Sequence, residues 1–237
     1  KPAVFASGRA GLPPGHHMGD NRVFNIIPWR RVKTDPAYNI RQAQESDIPQ
    51  LEHLYLQYSD EFRMAPVIDE KRIRLLTSTI HGLSINNFLV ASQGDDIKAV
   101  AAVWDDHYYR HYQVQRVNIQ IKWANRLVKA FRPFRKMPRP IELNEPLRQK
   151  AIVLYAHDGD QQALTNLIRH INNVQFGSEC TLLSLYTRDN DPIIPHLSGL
   201  TGVSVMSEMY LYATDQSVYS TIGGASKSDL LDLALVI

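Results

Sequence analysis

Residues 38–58, Tyr-Asn-Ile-Arg-Gln-Ala-Gln-Glu-Ser-Asp-Ile-Pro-Gln-Leu-Glu-His-Leu-Tyr-Leu-Gln-Tyr, switch hydrophobic period within a few positions. Tyr38-Asn39-Ile40-Arg41 alternates as a strand does. Ile48, Leu51, Leu54, Tyr55 and Tyr58 then recur at three- and four-residue steps, which places them on one face of a helix. Between the two, Ser46 is positioned to accept a hydrogen bond from the first-turn N–H groups, and Asp47 adds negative charge at the positive end of the helix dipole. Pro49 fits there because a first-turn N–H has no intrahelical partner. A strand that runs straight into an amphipathic helix predicts a mixed α/β chain, neither all-helical nor all-β.

About thirty residues later, Phe88-Leu89-Val90-Ala91-Ser92 and Ile97-Lys98-Ala99-Val100-Ala101-Ala102-Val103-Trp104 flank Gln93-Gly94-Asp95-Asp96. Two apolar runs around a Gly-Asp turn predict a hairpin. The order Ile40-Arg41-x-Ala43-x-x-x-Asp47-Ile48-Pro49-x-Leu51, followed by Phe88-Leu89-Val90-Ala91 and Ile97-x-Ala99-Val100-Ala101, resembles the opening half of the GCN5-related N-acetyltransferase (GNAT) superfamily.

The later residues continue that pattern. Residues 151–157 read as a buried strand, Asp158-Gly159-Asp160 breaks it, and residues 161–176 read as a helix with Leu164, Leu167, Ile168 and Ile171 inward. Strands are expected at 181–187, 203–206 and 209–212, with a short helix between Arg188 and Leu197. This order is similar to the acetyl-CoA-binding half of the superfamily. The resemblance spans residues 38–215 and implies an acyl-CoA N-acyltransferase-like fold, with a central mixed, twisted sheet flanked by helices and a basic helical insertion at about 114–150. It further implies an N-acyltransferase that moves an acyl group from acetyl-CoA or another acyl-CoA to an amine. Tyr155, Ala156 and His157 would then face the pantetheine arm, Gln162 would lie at the phosphate loop, and His157, Asp105 or His107 would be the candidate base.

Two motifs depart from the superfamily. Its phosphate loop, Arg/Gln-x-x-Gly-x-Gly/Ala, offers N–H groups to a pyrophosphate at a helix N-terminus. Here that position reads Asp158-Gly159-Asp160-Gln161-Gln162-Ala163, with one glycine and two carboxylates that would repel phosphate. The usual Leu-Tyr-x-x-x-Gly-Phe, whose tyrosine protonates the leaving thiolate, is replaced by Leu197-Ser198-Gly199-Leu200-Thr201-Gly202-Val203. These departures keep two alternatives open. One is a non-catalytic GNAT-like module that supports a partner half or binds a ligand; the other is a peripheral membrane-binding module.

The second alternative rests on charge. Seven basic residues and no acid fall between residues 122 and 139; without them the chain has 19 basic against 24 acidic side chains, so its net charge of +2 becomes −5. On a helical wheel Lys122, Arg126 and Lys129 share one face, an expected contact for an anionic ligand or membrane surface. Trp123, Leu127 and Phe131 gather on another side, expected to be buried against the domain or a partner, and Pro133 limits the helix. No nucleic-acid motif accompanies the basic stretch, so nucleic acid is not an expected partner.

Residues 1–37 begin with Lys1 and resemble the last strand and linker of a preceding GNAT-like half, which makes such a half, or a homo-oligomer, the expected partner. His16-His17 with Asp20 lacks the ligand spacing of a metal site. The cluster Asp105-Asp106-His107-Tyr108-Tyr109-Arg110-His111-Tyr112 is rich in proton-carrying groups but reads first as a polar strand end. Cys180, the single cysteine, lies beside an apolar run and reads as a buried, inert thiol. Residues 216–237 read as a flexible segment followed by a short apolar helix. No apolar run approaches the ~20 residues that span a bilayer, and a cytoplasmic location is the expectation.

Overall fold

The computed structural model describes residues 16–62, 65–117, 119–134 and 136–212. Seven strands, β1 (His16–Ile26), β2 (Asn39–Gln42), β3 (Phe88–Gln93), β4 (Asp96–Trp104), β5 (Gln149–His157), β6 (Leu182–Arg188) and β7 (Gly202–Leu211), form one sheet in the order β2-β3-β4-β5-β6-β1-β7. Every neighbouring pair is antiparallel except β5 with β6, which is parallel. Four α-helices are described: α1 (Ile48–Ser59), α2 (Glu70–Thr79), α3 (Ile119–Phe131) and α4 (Gln161–Gln175).

The two faces of the sheet are covered by different helices, and the side chains show why. On one face α1 presents Ile48, Leu51, Leu54, Tyr55 and Tyr58 to Val90, Val100, Ala102, Trp104 and Val153, with Ile73 and Leu76 of α2 alongside. On the other, Leu164, Leu167, Ile168 and Ile171 of α4 pack over Ala91, Ala99, Ala101, Ile152, Leu183 and Leu185. The alanines at the centre of β3 and β4 leave room for α4 to approach the sheet closely. Strand alternation in 88–104 therefore specifies both layers, with Phe88, Val90, Val100 and Trp104 toward α1 and Ala91, Ala99 and Ala101 toward α4.

The hairpin and the elements at 88–104, 149–157, 161–175 and 182–188 stand where the sequence predicts them. Other expectations are corrected. The turn into α1 is capped not by Ser46 but by Asp47, whose carboxylate accepts the Gln44 N–H and pairs with Arg41 through two hydrogen bonds of 2.6 and 2.9 Å. Helix α2 has no counterpart in the sequence reading, although Asp69 caps it by accepting the Arg72 N–H at 2.7 Å. The segments 203–206 and 209–212 form one strand, β7, because β1 runs beside it along the whole length. β1 itself lies between β6 and β7, with Ile26 fully buried in the α4-side core, so residues 16–26 are part of the same sheet as residues 38–211. Between Arg188 and Leu197 there is a single 3-10 turn, Ile194–Leu197. The expected tail helix and the motif at 12–15 lie outside the described residues.

Helix α3 carries the largest correction. Trp123, Leu127 and Phe131 are each at least half exposed, and among the described side chains of the helix Val128 is the buried one, 4% exposed. Lys122, Arg126 and Lys129 are exposed as the spacing predicts.

Candidate functional site

The parallel pair β5–β6 is joined only from Gln149↔Leu182 to Ile152↔Leu185. Past that point the ladder stops, although β5 continues to His157 and β6 to Arg188. The cause lies on the other side of β5. Against β4 the register runs Val100↔Ala156 and Ala102↔Val153, so three steps of β5 oppose two of β4. That extra residue is a bulge, and Leu154 takes it with a φ of +49°, an uncommon conformation for a side chain of its kind. The Leu154 carbonyl accepts the buried Tyr55 hydroxyl of α1. A residue that the helical period places on the α1 core face thus also fixes the bulge that turns β5 away from β6.

The cleft opened by this divergence is aromatic and polar. The Tyr155 hydroxyl lies 3.1 Å from Thr187 Oγ1 and 3.4 Å from Asp191 Oδ2, and Asp191 also accepts hydrogen bonds from Thr187 Oγ1 and the Ile193 N–H. Thr187 and Asp191 are buried. The Tyr58 ring stands 6.2 Å from Tyr155, 5.0 Å from His157 and 5.0 Å from Phe62, and the Arg188 guanidinium lies 4.6 Å over Phe62. Tyr155, predicted from sequence as a contact, therefore lies in the cleft; the sequence places Tyr58 only on the helix core face, and Phe62, Thr187, Arg188 and Asp191 carry no motif of their own. Only the invisible pairing of β5 with β6 makes neighbours of residues so far apart in sequence.

His157 ends β5 with its Nδ1 accepting the Gly159 N–H at 3.0 Å. The proton of the neutral ring therefore sits on Nε2, which makes that nitrogen a donor. Burial pushes the imidazole pKa down, against the opposing pull of Glu61, Asp191, Asp158 and Asp160, so the neutral form prevails at pH 7. In this arrangement His157 can polarise a carbonyl or hold an anionic group; acting as a base would require a change of tautomer. The other two candidate bases are elsewhere. Asp105 and His107 follow β4, and six strand residues from the partner of His157, roughly 20 Å, separate them from it. The Asp105 carboxylate accepts the His107 N–H at 3.3 Å, a capping role at the start of a 3-10 turn. Both residues line a cavity of about 400 Å³ at the opposite end of the sheet, together with Arg139, Arg148, Lys150 and Cys180. The Cys180 thiol is buried, with its pKa pushed up by that burial to about 11, which matches an inert role.

The start of α4, where a phosphate loop would lie, is closed by the chain itself. Asp160 Oδ1 accepts the N–H groups of Gln162 at 3.0 Å and Ala163 at 3.1 Å. The Gln161 N–H donates to the Gly159 carbonyl and the Asp160 N–H to Asp158 Oδ1 at 3.2 Å. All four N–H groups that a helix start leaves open are thus taken. The second Asp160 oxygen accepts the Tyr38 hydroxyl at 2.8 Å, which helps, after burial, to push the tyrosine pKa up to about 12. Asp158 beside it pairs with Lys98 at 3.1 Å. The Gln162 side chain, expected at the cofactor, is 3.2 Å from His196 Nδ1. The residues at this loop do not fit a pyrophosphate, while the open edge of β5 keeps the backbone a pantetheine arm would need.

No candidate metal-binding group of three or more His, Cys, Asp or Glu occurs among the described residues, and none of their helices is long and apolar enough to cross a membrane. His17 and Asp20 form an isolated pair at 3.0 Å.

No family model and no curated protein sequence matches the chain. Its architecture does have counterparts among solved structures. N-myristoyltransferase from Saccharomyces cerevisiae, solved with bound myristoyl-CoA, superposes with a TM-score of 0.51 at 13% identity, over 84% of this chain and 49% of the other. A GCN5-related N-acetyltransferase from Sphaerobacter thermophilus gives 0.53 at 9% identity, over 90% of this chain and 57% of the other. A conserved Enterococcus faecalis protein of unknown function gives 0.51 at 10% identity, over 88% and 43%. The chain spans about half the length of these structures. The mixed seven-stranded sheet with flanking helices and diverging central strands is the acyl-CoA N-acyltransferase fold.

Proposed function

We propose that this chain works within an N-acyltransferase, as the GNAT-like module that supports a second, acyl-CoA-binding half. The observation that carries this reading is the occupied start of α4, where Asp160 holds the N–H groups a pyrophosphate would take. A carboxylate there opposes phosphate twice, by repulsion and by competition for the same donors. Two features support the choice of partner. The chain covers about half of the acyltransferases it superposes on. Strand β7, ten residues long, ends the sheet with Val203, Val205 and Met206 exposed, an edge fit to meet another sheet. In this role the β5–β6 cleft, with its Tyr155–Thr187–Asp191 cluster and the His157 Nε2 donor, would hold the amine-bearing acceptor substrate rather than the acyl donor.

One observation favours a second reading, in which the chain itself transfers an acyl group. The β5 edge from Val153 to His157 remains released from β6, as pantetheine pairing requires. Calorimetric titration of the chain with acetyl-CoA separates the two. Millimolar or undetectable binding by the parent, with a gain of about tenfold in Asp160→Ser, agrees with the supporting role. Submicromolar binding by the parent would overturn it in favour of the second reading.

A further inference from the structure

Among the described side chains of α3, Val128 is buried against the domain and Asn125 hydrogen-bonds the Ile141 backbone, while a second, apolar face turns outward. Ile119, Trp123, Leu127 and Phe131 follow one another at four-residue steps, and Phe134 continues past the helix end; all five are at least half exposed. Four-residue steps on a helix of 3.6 residues per turn make a single slowly drifting stripe. A stripe of this kind is an unusual thing to leave in water, where isolated exposed apolar residues are ordinary and contiguous ones mark a contact surface.

The cations beside the stripe specify the contact. Lys129 is held by Glu142, Arg132 by Glu179, and Arg139 by Glu145 and Glu179, so the basic residues nearest the domain are neutralised locally. Among the described residues neither Lys122 nor Arg126 has a carboxylate partner. Both are exposed along the flank of the stripe, and Arg126 sits 5.0 Å over the Trp123 ring. An apolar partner face alone would leave these two charges unmatched, and a phosphate ligand alone would leave the five apolar side chains in water. An anionic bilayer surface matches both, with Trp and Phe at the level of the headgroup–acyl boundary and Lys and Arg among the phosphates.

We propose that α3 is an interfacial helix, which lies flat on anionic lipid with Ile119, Trp123, Leu127, Phe131 and Phe134 inserted and Lys122 and Arg126 against the headgroups. Because Val128 seats the helix on the domain from behind, insertion needs no rearrangement of the sheet. The proposal is independent of whether acyl-CoA binds.

The test is co-sedimentation of the full chain with phosphatidylcholine vesicles containing about 30 mol% phosphatidylserine, at low and high salt. Binding is expected to weaken about tenfold or more in Trp123→Ala/Phe131→Ala, and several-fold in Lys122→Gln/Arg126→Gln, with the second effect shrinking as salt rises. Brominated lipid is expected to quench the parent's tryptophan fluorescence but not that of Trp123→Phe. These substitutions lie on the solvent side, and an unchanged melting temperature verifies the fold. Absence of vesicle binding at low salt would overturn the proposal. So would binding that follows charge but ignores the aromatic variant, which marks a soluble polyanion. A lipid-free dimer abolished by Trp123→Ala/Phe131→Ala would overturn it in favour of a protein interface.

Discussion

Replacing Asp160 with alanine removes, in one step, the two N-cap hydrogen bonds to Gln162 and Ala163 and the bond from the Tyr38 hydroxyl. Loss of an N-cap of this kind costs about 1 kcal/mol. The Tyr38 bond is partly exposed and contributes about 1 kcal/mol more. The expected loss is therefore about 2 kcal/mol, which for a chain of this size lowers the melting temperature by about 4–8 °C. Asp160→Ser keeps a capping oxygen while removing the charge and the reach to Tyr38, so it should lose about 1 kcal/mol. Urea unfolding at pH 7 measures both, with the m-value unchanged if only the native contacts are affected. Because Tyr38 and Asp160 share one bond, Tyr38→Phe should cost less in the Asp160→Ala background than in the parent. The Tyr38 phenol should titrate lower in Asp160→Ala, though only in part, since burial is the first cause of its raised pKa. A variant within about 0.3 kcal/mol of the parent would show that the carboxylate does not hold these donors in solution. The argument against a pyrophosphate at α4 would then fail as well.

Asp47, held below the ordinary carboxylate range first by its bond to Arg41, stabilises the fold above the unfolded pKa of about 3.9, and this contribution is lost as pH falls through the lower, folded value. Asp47→Asn should thus be about 1–2 kcal/mol less stable than the parent at pH 7, with a deficit that shrinks as pH falls below about 3.9 in chemical denaturation; a deficit that stays constant there would refute the ion-pair account. His157 should show, by nitrogen NMR, the Nε2–H tautomer and less than half protonation at its ordinary pKa of about 6.5. With its folded pKa depressed, it should also lower stability as pH falls from about 6.5 through the folded value. A ring already charged at pH 6.5 would contradict both the burial and the Gly159 hydrogen bond.

What the sequence disclosed follows from the range of the forces involved. The period of residues 38–58 and the hairpin at 88–104 are local, and both reappear in place. The Asp-Gly-Asp loop is equally local, and its two acids mark the closed helix start without any tertiary information. Partners distant along the chain were not legible. The insertion of β1 between β6 and β7 pairs residues more than 150 positions apart, and nothing in 16–26 shows which neighbours it takes. Helix α2 carries a cap at Asp69, but it is short and largely polar, with only Ile73 and Leu76 buried, so its period is weak in the sequence. For α3 the wheel placed the apolar and basic residues on their faces, but spacing cannot say which face meets the domain. The seam fell on Val128, and the aromatic side was left outside.

The divergence of β5 from β6 and the closure of the α4 start have separate physical causes. The divergence of β5 from β6 depends on a backbone bulge at Leu154, held from the α1 layer by Tyr55. The anion preference of the α4 start depends on the four N–H groups beyond β5 and on the acids around them. The first is built into the packing of the core, so changes in the loop leave it intact. The second is altered by a single side chain at Asp160, with little cost to the fold because the carboxylate is itself a good cap. An acidic loop therefore stands beside an intact strand divergence. The divergence follows from the packing of the fold, and the occupation of the N–H groups at the first turn of α4 follows from the side chain that caps it.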